Sequence, residues 1–170
     1  KQILSLPKCF PINFHPGSPD YPGTGGINFA LYEQSLFYGV TCHIMDQKVD
    51  SGKIIYYKLF PINKKDNLPR LLLRTHKELL KLFIFITKKI QRKGKSFLTA
   101  KLELNDNVEW GNIKRTQKDL DSNQFIDPDI SEKELKTKIR SFHIDGFPLV
   151  LKLHNYKFVL DREDNSKKID

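Results

Sequence analysis

The chain has 170 residues, of which 39% are hydrophobic and 29% charged, with a formal net charge of +9. That length suits one ordinary core and is short for two full domains, and the composition excludes a disordered or fibrous chain. The most apolar stretch, Leu79 to Ile86, is interrupted by Lys81 and is too short to span a bilayer as a helix.

In chain order, Ile3 to Pro7 reads as the end of a helix or a turn, and Cys9–Phe14 as a short buried strand. Pro16 to Gly26 holds three Pro and four Gly and must be a loop. Ile27, Ala30 and Leu31 at helical spacing predict a short helix over about Gly25–Ser35. Tyr38–Met45 is rich in strand formers, an acidic turn runs from Asp46 to Gly52, and Ile54–Ile62 alternates as a second strand. Leu68 to Gln91 carries the strongest helical pattern. Leu68, Leu72, Thr75, Leu79, Leu82, Phe83, Ile86 and Ile90 recur three or four residues apart, opposite Arg70, Arg74, Lys77, Lys81, Lys88 and Arg92. Leu73, Leu80, Ile84 and Phe85 lie outside that stripe, which predicts burial over more than half of the helix circumference. Phe97–Leu104 is expected to form another strand, and Asn105–Asn112 a polar turn around Glu109 and Trp110. Ser131–Arg140 reads as a helix whose start is marked by Ser131 and Glu134. Phe147–Leu153 and Tyr156–Leu160 flank His154-Asn155 as a terminal hairpin, and Asp161–Asp170 is a charged tail.

The positive charge is local. Residues 64–101 hold twelve Lys or Arg against Asp66 and Glu78, while the rest of the chain is close to neutral. Two cysteines, Cys9 and Cys42, show neither a CxxC spacing nor a disulfide framework, and no charged-then-apolar leader opens the sequence. The expected setting is a reducing cytoplasm. His15, Cys42 and His43 are ligand types, but adjacent Cys42 and His43 would point to opposite faces of a strand and no HxH or HExxH spacing occurs, so no metal is expected.

Asn13 and His15 are two residues apart, so an extended segment presents both on one side. An amide N–H can stabilise the oxyanion of an acyl transfer, an imidazole can take the proton of an attacking amine, and a carboxylate such as Asp50 can orient that imidazole. By residue type alone, a turn-capping Asn and Asp with a packed His is the more economical account. The wider pattern alters it. Asn13-Phe14-His15-Pro16-Gly17, the Pro/Gly loop through Gly23 and Gly26, Gly39-Val40-Thr41-Cys42-His43-Ile44-Met45-Asp46 and Val49-Asp50-Ser51-Gly52-Lys53-Ile54-Ile55 occur in one order and spacing. Over roughly residues 9–62 this resembles the catalytic half of the formyltransferases that use 10-formyltetrahydrofolate, a superfamily that includes methionyl-tRNA, glycinamide ribonucleotide and nucleotide-amino-sugar formyltransferases.

The resemblance implies an α/β fold: the C-terminal half of a Rossmann-like formyltransferase sheet, one long helix and a small C-terminal region containing β-structure. Residues 1–95 would form the catalytic part, truncated at its N-terminus, and residues 96–170 the small region with its hairpin and tail. The family's βα units are expected before Lys1 and are not there, so the chain looks like a fragment, a split half or a truncated product, with the other half or a second copy as a partner. The resemblance places the catalytic Asn, His and Asp on Asn13, His15 and Asp50. It places the folate pocket at Met45, Asp46, Val49, Ser51 and Gly52, and the acceptor loop at Pro16, Gly17, Tyr21 and Gly23. The implied donor is 10-formyltetrahydrofolate without a metal. The implied acceptor is a primary amine, first an amino sugar on a nucleotide and second methionyl-tRNA, with no membrane partner. Where relatives often have Ser-Leu-Leu-Pro after His-Pro, this chain has Gly17-Ser18-Pro19-Asp20-Tyr21-Pro22-Gly23.

The rival expectation is an inactive fragment that binds nucleic acid or a protein partner through its basic helix. Trp110 is expected either to pack in the core or to stack on the acceptor.

Overall fold

A computed structural model describes residues 10–161. Three antiparallel strands form the main sheet, in the order β1 (Ile12–His15), β2 (Phe37–Ile44), β3 (Ile54–Pro61). Between β1 and β2 lie the Pro/Gly loop and α1 (Gly26–Tyr32). The β2–β3 connection carries the acidic turn, and the β2/β3 ladder slips by one residue at Cys42/His43. Such a bulge re-aims side chains, and this one lies beside the buried polar cluster described below.

The central strand is buried from Tyr38 through His43. Its alternation separates two environments. Tyr38, Val40 and Cys42 join the main core with Ile55, Phe60, Leu71, Leu82 and Ile86. Thr41 and His43 turn to the opposite face, where their register partners are His15 and Asn13. The parity that puts Asn13 and His15 on one side therefore faces them toward a polar strip of β2, while Phe14 on the other side meets Phe83 edge-on at 5.2 Å.

Helix α2 (Leu68–Lys93) crosses the apolar face. Asn67 caps it by accepting from the Arg70 N–H, Pro69 occupies its first turn, and Gly94 ends it in the left-handed region (φ 59°). It buries a narrower stripe than its sequence suggests: Leu68, Leu71, Thr75, Leu82 and Ile86 are buried. Leu73, Leu80, Phe83, Ile84 and Phe85 remain 37–60% exposed. The expectation of burial over more than half of the circumference fails because the three-stranded sheet and α3 cover only one side. Leu71 is fully enclosed, and Leu71→Ala is expected to cost about 2–5 kcal/mol through lost transfer energy and the cavity left behind, read from a urea unfolding curve.

Residues 97–104 are a helix, not a strand: α3 runs Lys95–Leu104 and brings Phe97 and Leu98 into the main core. The segment has a single β-branched residue, Thr99, and is otherwise rich in Ala, Leu, Lys and Glu, which favour a helix once Gly94 has turned the chain. Two further elements went unread in the sequence. Helix α4 (Gln117–Asn123) has a capping box from Thr116 and Asp119, and β4 (Phe125–Ile126) runs parallel to β5 (Val150–Leu153). The terminal hairpin forms as expected, β5 pairing antiparallel with β6 (Tyr156–Val159) across a turn where His154 has φ 52°. Helix α5 (Glu132–Phe142) starts at Ser131, whose hydroxyl accepts from the Glu134 N–H.

A second cluster of Phe29, Phe142 and Leu149 ties these later elements to α1. The buried Asn28 amide donates to the Ser141 carbonyl at 2.8 Å, and the Arg140 guanidinium donates to the carbonyls of Asp66 and Asn63. No helix among the described residues is long and apolar enough to cross a membrane. Expectations for Ile3–Pro7, Cys9 and the tail from residue 162 onward fall outside the described residues.

Candidate active site

Asn13, His15 and Asp50 come together, with His43 as a fourth member. Asp50 sits in the β2–β3 connection with φ 44°, and 5% of its surface is exposed. Its Oδ2 faces His15 Nδ1 at 3.3 Å and accepts from the Gly23 N–H at 2.8 Å. Its Oδ1 faces His43 Nε2 at 3.5 Å. Asn13 Nδ2 lies 3.1 Å from the same His43 nitrogen.

Backbone carbonyls constrain both imidazoles. His15 Nε2 faces the Tyr21 carbonyl at 3.1 Å, and His43 Nδ1 faces the Ile44 carbonyl at 2.8 Å. A carbonyl only accepts, so each of these nitrogens carries a proton. The other nitrogen of each ring is turned toward Asp50. One carboxylate therefore faces the inward nitrogens of two buried imidazoles, so a proton on either of them is shared with Asp50, and Asn13 Nδ2 adjoins the one on His43.

Burial pushes the pKa of His15 below the ordinary imidazole value, against the pull of Asp50 and of the Tyr21 carbonyl, with His43 adding to the depression. For Asp50, burial alone would raise the pKa. The hydrogen bond with His43, the charge of His15 and the Gly23 N–H outweigh it and hold the carboxyl below its usual value. Near neutral pH the cluster is thus an ionised carboxylate beside an imidazole with room for a proton.

The loop expected to border an acceptor mostly builds the cluster. The Pro16 carbonyl accepts from Tyr38 Oη at 2.9 Å and the Gly17 carbonyl from Thr41 Oγ1 at 2.7 Å, while Tyr21 and Gly23 supply the backbone groups just described. Of the residues expected to line a folate pocket, Met45, Asp46 and Val49 border a cavity of about 210 Å³ whose inner wall is Asn13, His43 and Asp50. Ser51 and Gly52 border a neighbouring cavity of about 420 Å³ together with Asp50, Lys53 and Trp110. A larger opening of about 650 Å³ between α2 and α3 is lined by Phe85, Phe97, Leu104 and several lysines, away from this cluster.

The sequence places neither His43 nor Trp110 beside Asp50. For His43 the signal is polar Thr41 and His43 alternating with apolar Val40 and Cys42, which marks a polar face on β2. Trp110 lies sixty residues beyond Asp50 and packs edge-on against both imidazoles. No local signal places it there.

The sequence profile of the formyl transferase family ("Formyl transferase") matches residues 1–87. The methionyl-tRNA formyltransferase of Thermodesulfovibrio yellowstonii is 40% identical over 68 residues, 39% of this chain and 22% of that protein. The fold is shared with a 4-N formyltransferase from Francisella tularensis (TM-score 0.67, 22% identity, 91% of this chain and 62% of that one). It is also shared with an N-formyltransferase from Helicobacter canadensis in complex with folinic acid and dTDP-3-aminofucose (TM-score 0.61, 24% identity, 85% of this chain and 51% of that one). The chain thus spans less than two thirds of the length of each of these relatives. With a family match over half of its residues, this chain belongs to the formyl transferase family.

Proposed function

We propose that the protein transfers a formyl group from 10-formyltetrahydrofolate to a primary amine, with Asn13, His15 and Asp50 as the catalytic residues. The observation that carries this reading is the buried carboxylate shared by two imidazoles, with Asn13 at the wall of the same cavity. The acceptor nitrogen attacks the formyl carbon, a new C–N bond forms, and the bond to the folate nitrogen breaks. Asn13 Nδ2 has two N–H groups; one is directed at His43, and the second serves the developing oxyanion. The proton leaving the amine goes to the His15–Asp50 pair, where the carboxylate stabilises the imidazolium that forms, and passes from there to the folate nitrogen as it departs. Met45, Asp46 and Val49 border the donor side.

The acceptor we favour is an amino sugar carried on a nucleotide, with methionyl-tRNA second. The support is the fold shared with an N-formyltransferase whose structure holds folinic acid and dTDP-3-aminofucose. The basic-module reading has less behind it, because α2 pairs Arg74 with Asp66 and Lys81 with Glu78. The test is formyl transfer by the protein to a nucleotide-linked amino sugar and to methionyl-tRNA, in parallel with His15→Ala. Turnover with the sugar that falls about 10²–10⁴-fold in the variant is expected. Near-normal turnover by His15→Ala would sink the residue roles, and transfer to methionyl-tRNA alone would reverse the acceptor order.

A further inference from the structure

Trp110 is the only tryptophan in the chain. Its ring meets the His43 ring at 4.9 Å between centroids and 86° between planes, and the His15 ring at 5.6 Å and 78°. The indole N–H is occupied elsewhere, donating to the Gly52 carbonyl at 2.8 Å, two residues beyond Asp50. The segment that bears it is fastened to both site loops. Gly111 N–H donates to the Pro19 carbonyl at 2.9 Å, Thr24 N–H donates to the Arg115 carbonyl at 2.9 Å, and the Asn105 amide donates to the Ile55 carbonyl at 2.7 Å.

We propose that Trp110 is a positioning residue: anchored on Gly52, it wedges the His15 and His43 rings against Asp50 and keeps water from the carboxylate they share. The physical need is specific. The imidazole χ2 torsion is broad, and a turn of either ring would move the nitrogen that faces Asp50 out of reach. A single carbonyl contact holds the far nitrogen of each ring, and the indole edge restricts the rotation that remains. The charged groups around it are Asp50 on the inner side and Lys53, Glu109 and Lys114 at the rim of the adjacent cavity. The inference rests on the proposed function for what the cluster does chemically; the positioning itself can be read without turnover.

The test follows the His15 and His43 ring protons by NMR, and the emission of the sole tryptophan, between about pH 5 and 8 in the unliganded chain. An imidazolium quenches an indole in contact with it, so wild-type emission is expected to fall on acidification with the midpoint of His15. Trp110→Ala should admit water and relieve the burial of His15, moving its midpoint upward. Trp110→Phe keeps a ring edge but loses the Gly52 bond, and should recover part of that shift. In turnover, the Ala variant should lose kcat with little change in acceptor KM. Histidine midpoints unchanged in Trp110→Ala, with only a lower Tm, would show mere packing and overturn the proposal. If that variant does not fold, wild-type emission that ignores the titration of His15 overturns it equally. A midpoint shift in a protein that transfers no formyl group upholds the positioning and rejects the proposed function instead.

Discussion

Asp50→Asn is expected to lower formyl transfer by about 10²–10⁴-fold while leaving the protein folded. Asn fills the same space and can still accept from the Gly23 N–H. It also tolerates the left-handed backbone that Asp50 occupies at φ 44°. What it cannot do is stabilise an imidazolium on His15 or His43. The pH dependence carries the sign. Under the proposed mechanism His15 must be neutral to receive the amine proton, and its pKa lies below the ordinary value. Wild-type kcat/KM should therefore hold as pH drops to about 6.5 and decline below that, as His15 protonates. Removing Asp50 removes an influence that raises the His15 pKa, so the acidic limb of the variant should move to still lower pH beneath a much lower plateau. Stability follows the same linkage. Both His15 and Asp50 have depressed pKa values in the fold, so the unfolded chain binds more protons and acidification destabilises the native state. The contribution of His15 is present above its unfolded pKa and is lost as pH falls toward the folded one; that of Asp50 is lost in the more acidic range, below the usual carboxylate value. A variant with a wild-type plateau would remove Asp50 from the chemistry.

Gly52→Ala should damage both stability and turnover. A Cβ on residue 52 would lie 1.9 Å from the Ile44 carbonyl oxygen and 2.8 Å from its carbon. Both are backbone atoms of the central strand, so neither can swing aside. The β2–β3 connection must retreat, taking with it Asp50 and the Gly52 carbonyl that anchors Trp110. Overpacking of this kind costs about 1–3 kcal/mol, and displacing a reacting group by 1 Å costs about 10²-fold in rate. Gly94→Ala is the control. A Cβ there meets nothing within 4 Å, although φ is 59°, so the expected loss is about 1–3 kcal/mol of backbone strain with turnover unchanged. Urea unfolding and kcat measured on the pair separate a loop that locates Asp50 from a general loss of stability. Equal effects on turnover would contradict that role for the loop.

Much of the local structure was legible because its causes are local. Asn67 with Pro69 and Gly94 mark the ends of α2, Ser131 marks the start of α5, and alternation marks β2, β3 and the final hairpin. Parity along an extended segment put Asn13 and His15 on one face, and three blocks in fixed order pointed to the formyl transferase family. The misreadings have a different origin. Phe97–Leu104 is a short apolar run that periodicity cannot divide between strand and helix, and the decision came from the turn at Gly94 and the surfaces of α2 and β3. The exposure of Leu73, Leu80 and Ile84 depended on what lay across from α2, which its own pattern does not contain.

The sequence by itself determined the family, the ends of most helices and the shared face of Asn13 and His15, since each depends on residues within a few positions of one another or on ordered blocks. Only the tertiary structure decided that His43 is the register partner of Asn13, that the Pro/Gly loop supplies the backbone groups holding His15 and Asp50, and that Trp110 closes the cluster. Those relations depend on strand register and on loops meeting across distant stretches of chain. Neither composition nor periodicity encodes such meetings; close packing around a buried carboxylate that must find its partners enforces them.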